Sequence, residues 1–124
     1  DPLPFALASW WNQNLGVPVK LVGMSFGDLR AALRAKRVSA FGSGWLADYP
    51  DPQTFLDSLY RTGAADNTSG YSNAAVDALL DQAKRETDDS RRTSLYRDTE
   101  QLLLDDVAAI PVSHDDTSML VRPW

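Results

Sequence analysis

The run GWLADYPDP at residues 44–52 constrains the fold more than any other stretch of this chain. Pro50 and Pro52 fix their own φ angles and push Tyr49 and Asp51 out of the α region, so no regular helix passes through the run. Gly44 permits close approach of a backbone or a ligand, and Trp45 and Tyr49 each supply a large flat surface with a polar handle. Asp48 then stands in a stiff, aromatic-flanked turn, where a partly desolvated carboxylate requires a cationic or hydrogen-bonding partner. A ligand can be that partner, so the run reads as a binding-site loop.

The segments around it predict an α/β order. Leu7, Trp10 or Trp11, and Leu15 recur at helical spacing over 3–15, and Gly16 offers the left-handed residue that closes a helix. Residues 17–22 are β-branched and apolar and read as a strand with Pro18 near its start. Ser25 and Asp28 form a capping box with Asp in place of Glu, predicting a helix over about 26–36 that carries Phe26, Leu29 and Leu33. A second strand over 38–45 delivers the chain into the loop, and two strands joined by a helix are expected to run parallel.

Beyond the loop, Asp51 as N-cap and Pro52 as first helical residue predict a helix with Phe55, Leu56 and Leu59. Residues 61–72 read as a surface connection. Ser72 or Asn73 caps a helix with the stripe Val76, Leu79, Leu80 and Ala83. Asp88, Asp89 and Ser90 open another, with Leu95, Thr99, Leu102, Leu103 and Asp106 on or near its inner face. Residues 108–113 and 118–122 read as a terminal hairpin turning at 114–117. The expectation is several helices packed on a small mixed sheet, with Trp10, Trp11 and Phe55 in the core.

Composition excludes several classes. At 124 residues the chain is the size of one domain, and folding buries roughly two-thirds of the extended-chain surface. Hydrophobic residues at 44% and charged residues at 23% match globular averages, and no apolar run reaches the roughly 18 residues of a membrane span. A net charge of −5 argues against nucleic acid, since the one dense basic stretch, 30–37, alternates with Ala and Leu as a solvated helix face does. The absence of cysteine removes disulfides and thiolate metal sites. Both ends look cut from a longer protein, with no initiator Met and no signal segment.

For catalysis the candidates are few. Asp48 and Asp51 are the one carboxylate pair that a small hydrolase would use, and such an enzyme would hold both facing one pocket within about 5–10 Å. A binding module would instead turn Asp51 away as a helix cap. A pure interaction scaffold would leave Asp48 far from any concavity. His114 beside Asp115 and Asp116 is the only histidine and reads as a solvated turn, short of the converging ligands a metal site needs. Nucleophile elbows, phosphate-binding loops and dinucleotide fingerprints are absent, and no cofactor or metal is expected.

Five motifs in order carry a family resemblance: WWNQNLGVPVKLV at 10–22, GWLADYPDPQTFL at 44–56, YSNAAVDALLDQA at 71–83, RRTSLYRDTEQLLLDDVAAIPV at 91–112 and LVRPW at 120–124. Together they resemble the C-terminal part of the bacterial extracellular solute-binding proteins of family 5, the oligopeptide- and dipeptide-binding components of ABC importers. The resemblance implies a fragment of a two-lobed periplasmic-binding-protein-like fold (type II, cluster C) that closes on its ligand by hinge motion. It implies that residues 1–47 belong to the C-terminal ligand-binding lobe. Residues 48–124 are then the hinge crossing, with helices and a terminal strand pair returning to the N-terminal lobe.

The same resemblance implies site residues and partners. Asp48 matches the carboxylate that receives the α-ammonium of a bound peptide. Gly44, Trp45 and Leu46 match the cleft-lining strand whose backbone pairs with an extended peptide, and Phe26 matches a position often held by a pocket-lining tryptophan. Some members carry arginines for the peptide carboxylate where this chain has Leu33 and Gly42, so a carboxylate anchor is not visible here. Other members carry nickel complexes, oligosaccharides or other solutes, so Asp48 favours an amine-bearing ligand. The implied receptor is non-enzymatic and periplasmic or extracellular, with a lipid anchor compatible, and it delivers a small peptide or similar solute to a membrane permease. A single lobe is expected to self-associate through the surfaces its missing partner would cover.

Overall fold

A computed structural model describes residues 2–114 and 122. Within them the chain forms five helices: α1 (Leu3–Leu15), α2 (Phe26–Arg34), α3 (Gln53–Tyr60), α4 (Ala74–Arg85) and α5 (Asp89–Asp105). The starts of α2, α4 and α5 are set by N-cap side chains that satisfy otherwise free N–H groups. Ser25 Oγ accepts from the Asp28 N–H at 3.2 Å, Asn73 Oδ1 from the Ala75 N–H at 2.9 Å, and Asp88 Oδ1 from the Arg91 N–H at 2.8 Å. Gly16 closes α1 at φ 65°, as its lack of a Cβ allows. α2 stops two residues short of the expected end, because Lys36 turns left-handed at φ 51° and the Arg37 N–H bonds back to the Ala32 carbonyl.

The core lies where α4 crosses α5. Val76, Leu80 and Ala83 follow one another at i, i+4 and i+7, so they share a face, and Tyr96 and Leu103 of α5 cover it. Val76 and Leu80 are sealed from solvent, and each such aliphatic side chain contributes about 1.5–3 kcal/mol. Leu56 and Tyr60 of α3, with Tyr71 and Ala108, close the cluster from the side. The Tyr60 and Tyr71 rings meet edge to face at 6.4 Å. Thr99 is buried among apolar groups because its hydroxyl donates to the Leu95 carbonyl at 2.8 Å.

Residues 2–47 are organised differently. Neither α1 nor α2 packs against α3, α4 or α5. α2 instead faces the 65–70 connection across a cleft of about 220 Å³ lined by Leu33, Arg34, Asn67 and Thr68. Of this region only Ala32 is buried, while Phe5, Trp10, Val22, Met24 and Phe26 are exposed.

Three expectations are corrected. Among the described residues there is no strand: 17–22, 38–45 and 108–113 are irregular, and the remainder of the expected hairpin, apart from Arg122, lies outside the described residues. No backbone hydrogen bond among them involves residues 18–24 or 38–47. Two apolar segments joined by a helix do not make a sheet by themselves; an isolated pair is marginal and parallel pairing requires further strands. Trp10 is 57% exposed and Phe55 38% exposed, so neither belongs to the core. Their helical spacing is real, but α1 packs against none of α3, α4 and α5, and α3 turns Leu56 and Tyr60 rather than Phe55 to the core. Asp51 does accept from the Gln53 N–H, although regular helix begins at Gln53 rather than Pro52.

Candidate functional site

The loop at 44–52 folds back over the first turn of α3, and one buried hydroxyl gathers it. Thr54 has no solvent exposure. Its Oγ1 donates to Asp48 Oδ2 at 3.1 Å and accepts from the Asp48 N–H at 3.3 Å and from Trp45 Nε1 at 3.4 Å. A hydroxyl offers one donor and two acceptor positions, and all three are used here. Asp48 thereby receives a fixed orientation while remaining exposed, with Oδ1 free of hydrogen bonds among the described residues.

Asp51, three residues on, is committed elsewhere. Its Oδ1 accepts from the Gln53 N–H at 2.8 Å, and its Oδ2 takes a short bond from Arg92 Nη1. Arg92 reaches three elements at once: Nη2 donates to Tyr96 Oη at 2.9 Å, Nε donates to the Ala83 carbonyl at 3.3 Å, and the guanidinium lies 5.0 Å from the centre of the Tyr96 ring. The Arg92 guanidinium holds the Asp51 carboxyl below its ordinary value, outweighing the opposing effect of burial. Burial pushes Tyr96 up, and the Asp51 charge adds to it. The two carboxylates therefore serve separate partners, and Asp51 has the helix-cap arrangement expected of a binding module rather than a hydrolase.

The other candidates are less gathered. Leu46 is 88% exposed, and a Cβ built on Gly44 would meet open space, so close packing within the described residues does not account for glycine there. Phe26 opens α2 and is 75% exposed; the side chain over its ring is Arg30, at 5.7 Å. Thus Trp45 and Asp48 are joined through Thr54, whereas Phe26 and Leu46 stand apart. His114 is exposed, and Asp115 and Asp116 lie outside the described residues. A second charged cluster, Asp57, Arg61, Asp81 and Lys84, clasps α3 to α4 through contacts of 2.6–3.3 Å and, among the described residues, has no bond to the loop.

Similarity to known proteins fits this arrangement. The chain is 34% identical over 122 residues to the periplasmic oligopeptide-binding protein OppA of Escherichia coli, covering 98% of this chain and 22% of that protein. The solved structure of the murein tripeptide binding protein MppA of Escherichia coli superimposes with a TM-score of 0.78 at 31% identity, over 83% of this chain and 20% of that one. The structure of Burkholderia pseudomallei OppA gives 0.77 at 36% identity, over 84% and 20%. The chain belongs to the family 5 extracellular solute-binding proteins. No family model matches it.

This family 5 chain thus has part of a periplasmic-binding-protein fold, and it spans about a fifth of the length of the relatives it matches. Those relatives are binding proteins rather than enzymes. The sequence pattern singles out Asp48 and Trp45 as candidates but gives no sign of Thr54 and Arg92, to which Asp48, Trp45 and Asp51 are bonded. Thr54 sits in the first turn of a helix, where a hydroxyl is ordinarily solvated, and only the fold-back of the loop turns it inward. Arg92 is 41 residues from its carboxylate, beyond any local pattern.

Proposed function

We propose that this chain supplies part of the ligand cleft of a periplasmic receptor that binds small peptides, or related amine-bearing solutes, and delivers them to the membrane permease of an ABC importer. Asp48 is the amine anchor, and Trp45, Leu46, Gly44 and Phe26 are walls of the cleft. The receptor does no chemistry on its ligand. The observation carrying this reading is the carboxylate of Asp48, oriented through Oδ2 by a buried hydroxyl yet presenting Oδ1 outward, beside an indole and next to an Asp51 already consumed by Arg92. A charge-assisted bond to an ammonium in a closed cleft contributes about 1.5–3 kcal/mol, well above a solvated surface pair.

In the intact receptor, residues 1–47 lie in the C-terminal lobe and residues 48–124 cross the hinge and return to the N-terminal lobe. The unbonded backbone of 18–24 and 38–47 supports pairing with strands that the longer receptor supplies, completing a small mixed sheet. No described helix is long and apolar enough to cross a membrane. The receptor works in the periplasm, free or held by a lipid anchor, a reading supported by the similarity to the periplasmic OppA of Escherichia coli.

The test is titration calorimetry on the full-length gene product with trialanine and with N-acetyl-trialanine, which lacks the ammonium. Wild type is expected to bind trialanine and to bind the acetylated peptide at least tenfold more weakly, a preference that Asp48→Asn abolishes. Equal binding of both peptides by wild type sinks the anchor role, and no binding of either sinks the peptide reading.

A further inference from the structure

Thr54 is the buried group from which both polar site residues hang. It contributes nothing to the apolar core, and with no solvent exposure its hydroxyl must be satisfied internally. The partners it finds are the Asp48 carboxylate, the Asp48 N–H and the Trp45 indole, all within the loop that stands over α3. The proton on Oγ1 is directed to Asp48 Oδ2, because the two N–H donors occupy the acceptor side of the same oxygen. We infer that Thr54 is a positioning residue for ligand selectivity: it fixes the rotamer of Asp48 and the plane of Trp45, so that Oδ1 and one indole face are presented together to an amine-bearing ligand.

This inference rests on the peptide reading above and adds a residue that never touches the ligand. Two features separate positioning from mere support. α3 is held to α4 and α5 by Leu56, Tyr60 and the Arg92–Asp51 bond, none of which passes through the Thr54 hydroxyl. The hydroxyl instead joins the loop to itself and to the first turn of α3, so its loss frees Asp48 to rotate while the helices keep their packing. A freed carboxylate still carries its charge. It then pays the entropy of being ordered when the ammonium arrives, and it loses a bond to a charged group.

The experiment compares wild type, Asp48→Asn, Thr54→Val and Thr54→Ser in the full-length gene product, with trialanine and N-acetyl-trialanine as probes and thermal unfolding of each variant recorded alongside. Thr54→Val keeps the shape and removes the hydroxyl. It is expected to weaken trialanine about tenfold or more, the scale of a lost bond to a charged group, while leaving N-acetyl-trialanine within about twofold. Thr54→Ser retains the hydroxyl and restores the preference. Equal weakening of both peptides by Thr54→Val, or failure of Thr54→Ser to restore the preference, overturns the inference and marks Thr54 as structural. If Asp48→Asn abolishes the preference while Thr54→Val leaves it intact, the inference falls and the peptide reading stands. If wild type shows no preference, the reading falls and takes the inference with it.

Discussion

Residues 53–108 and residues 2–47 both carry leucines and aromatics at helical spacing, yet they use them in opposite ways. In the first region the stripe of α4 meets the stripe of α5 and α3 closes the side, so Val76, Leu80, Ala83, Tyr96 and Leu103 leave water. In the second, α1 and α2 touch none of those helices, and Phe5, Trp10, Val22, Met24 and Phe26 stay exposed. An amphipathic helix acquires stability from what covers its apolar face rather than from the pattern itself. The 44–52 loop lies at the junction, anchored on the packed side by Thr54 and Arg92 and open on the other.

The largest way to break this contrast is Leu80→Ala, which leaves a cavity in the core shared by α3, α4 and α5 and is expected to cost about 2–5 kcal/mol in urea unfolding. Trp10→Ala, a larger deletion on an exposed face, should stay within about 0.5 kcal/mol in the same measurement. Comparable losses for the two would mean that α1 shares the core.

A smaller effect probes the junction. The folded pKa of Asp51 is depressed below its ordinary 3.8, so the stability it confers is fully present above that value and is lost as pH falls through the depressed folded value. Asp51→Asn keeps an oxygen for the helix cap and removes the charge. It is expected to cost about 1–2 kcal/mol at pH 7, and the gap to wild type should shrink on acidification below about pH 4. A gap that is constant from pH 7 to pH 2 would remove the ion pair with Arg92 from the account.

The smallest effect concerns the open region in solution. With unbonded backbone at 18–24 and 38–47 beside exposed Trp10, Val22 and Met24, the 124-residue chain is expected to self-associate weakly. Light scattering should show a mass that rises with concentration, and Trp10→Ser should lower that rise. A monomer at every concentration tested would mean that these surfaces need no cover.

Local chemistry was readable wherever its cause lies within a few residues. Ser25, Asn73 and Asp88 act at the helix starts where their side chains predict it, because a cap satisfies N–H groups two or three positions away, and Gly16 closes α1 through its left-handed backbone. The stripe Val76, Leu80 and Ala83 was equally plain, since period and burial coincide there. Tyr96 was not, because its aromatic ring reads as well for an exposed face until Arg92 and the α4 stripe are seen to cover it. The strands expected at 17–22, 38–45 and 108–113 do not form among the described residues for a related reason: β-branched residues mark a segment suited to a sheet, but the hydrogen bonds come from a neighbour that sequence alone does not place.

By itself, then, the sequence determined the five helices, the caps at Ser25, Asn73 and Asp88, and the stop imposed by Pro50 and Pro52 just after Asp48, since each follows from torsional limits or from bonds closed within one turn. Tertiary structure decided which faces became core, that Asp51 belongs to Arg92 41 residues away, and that Thr54 turns inward to hold Asp48 and Trp45. These depend on the fold-back of one segment over another, and desolvation then compels each buried polar group to find its partner there.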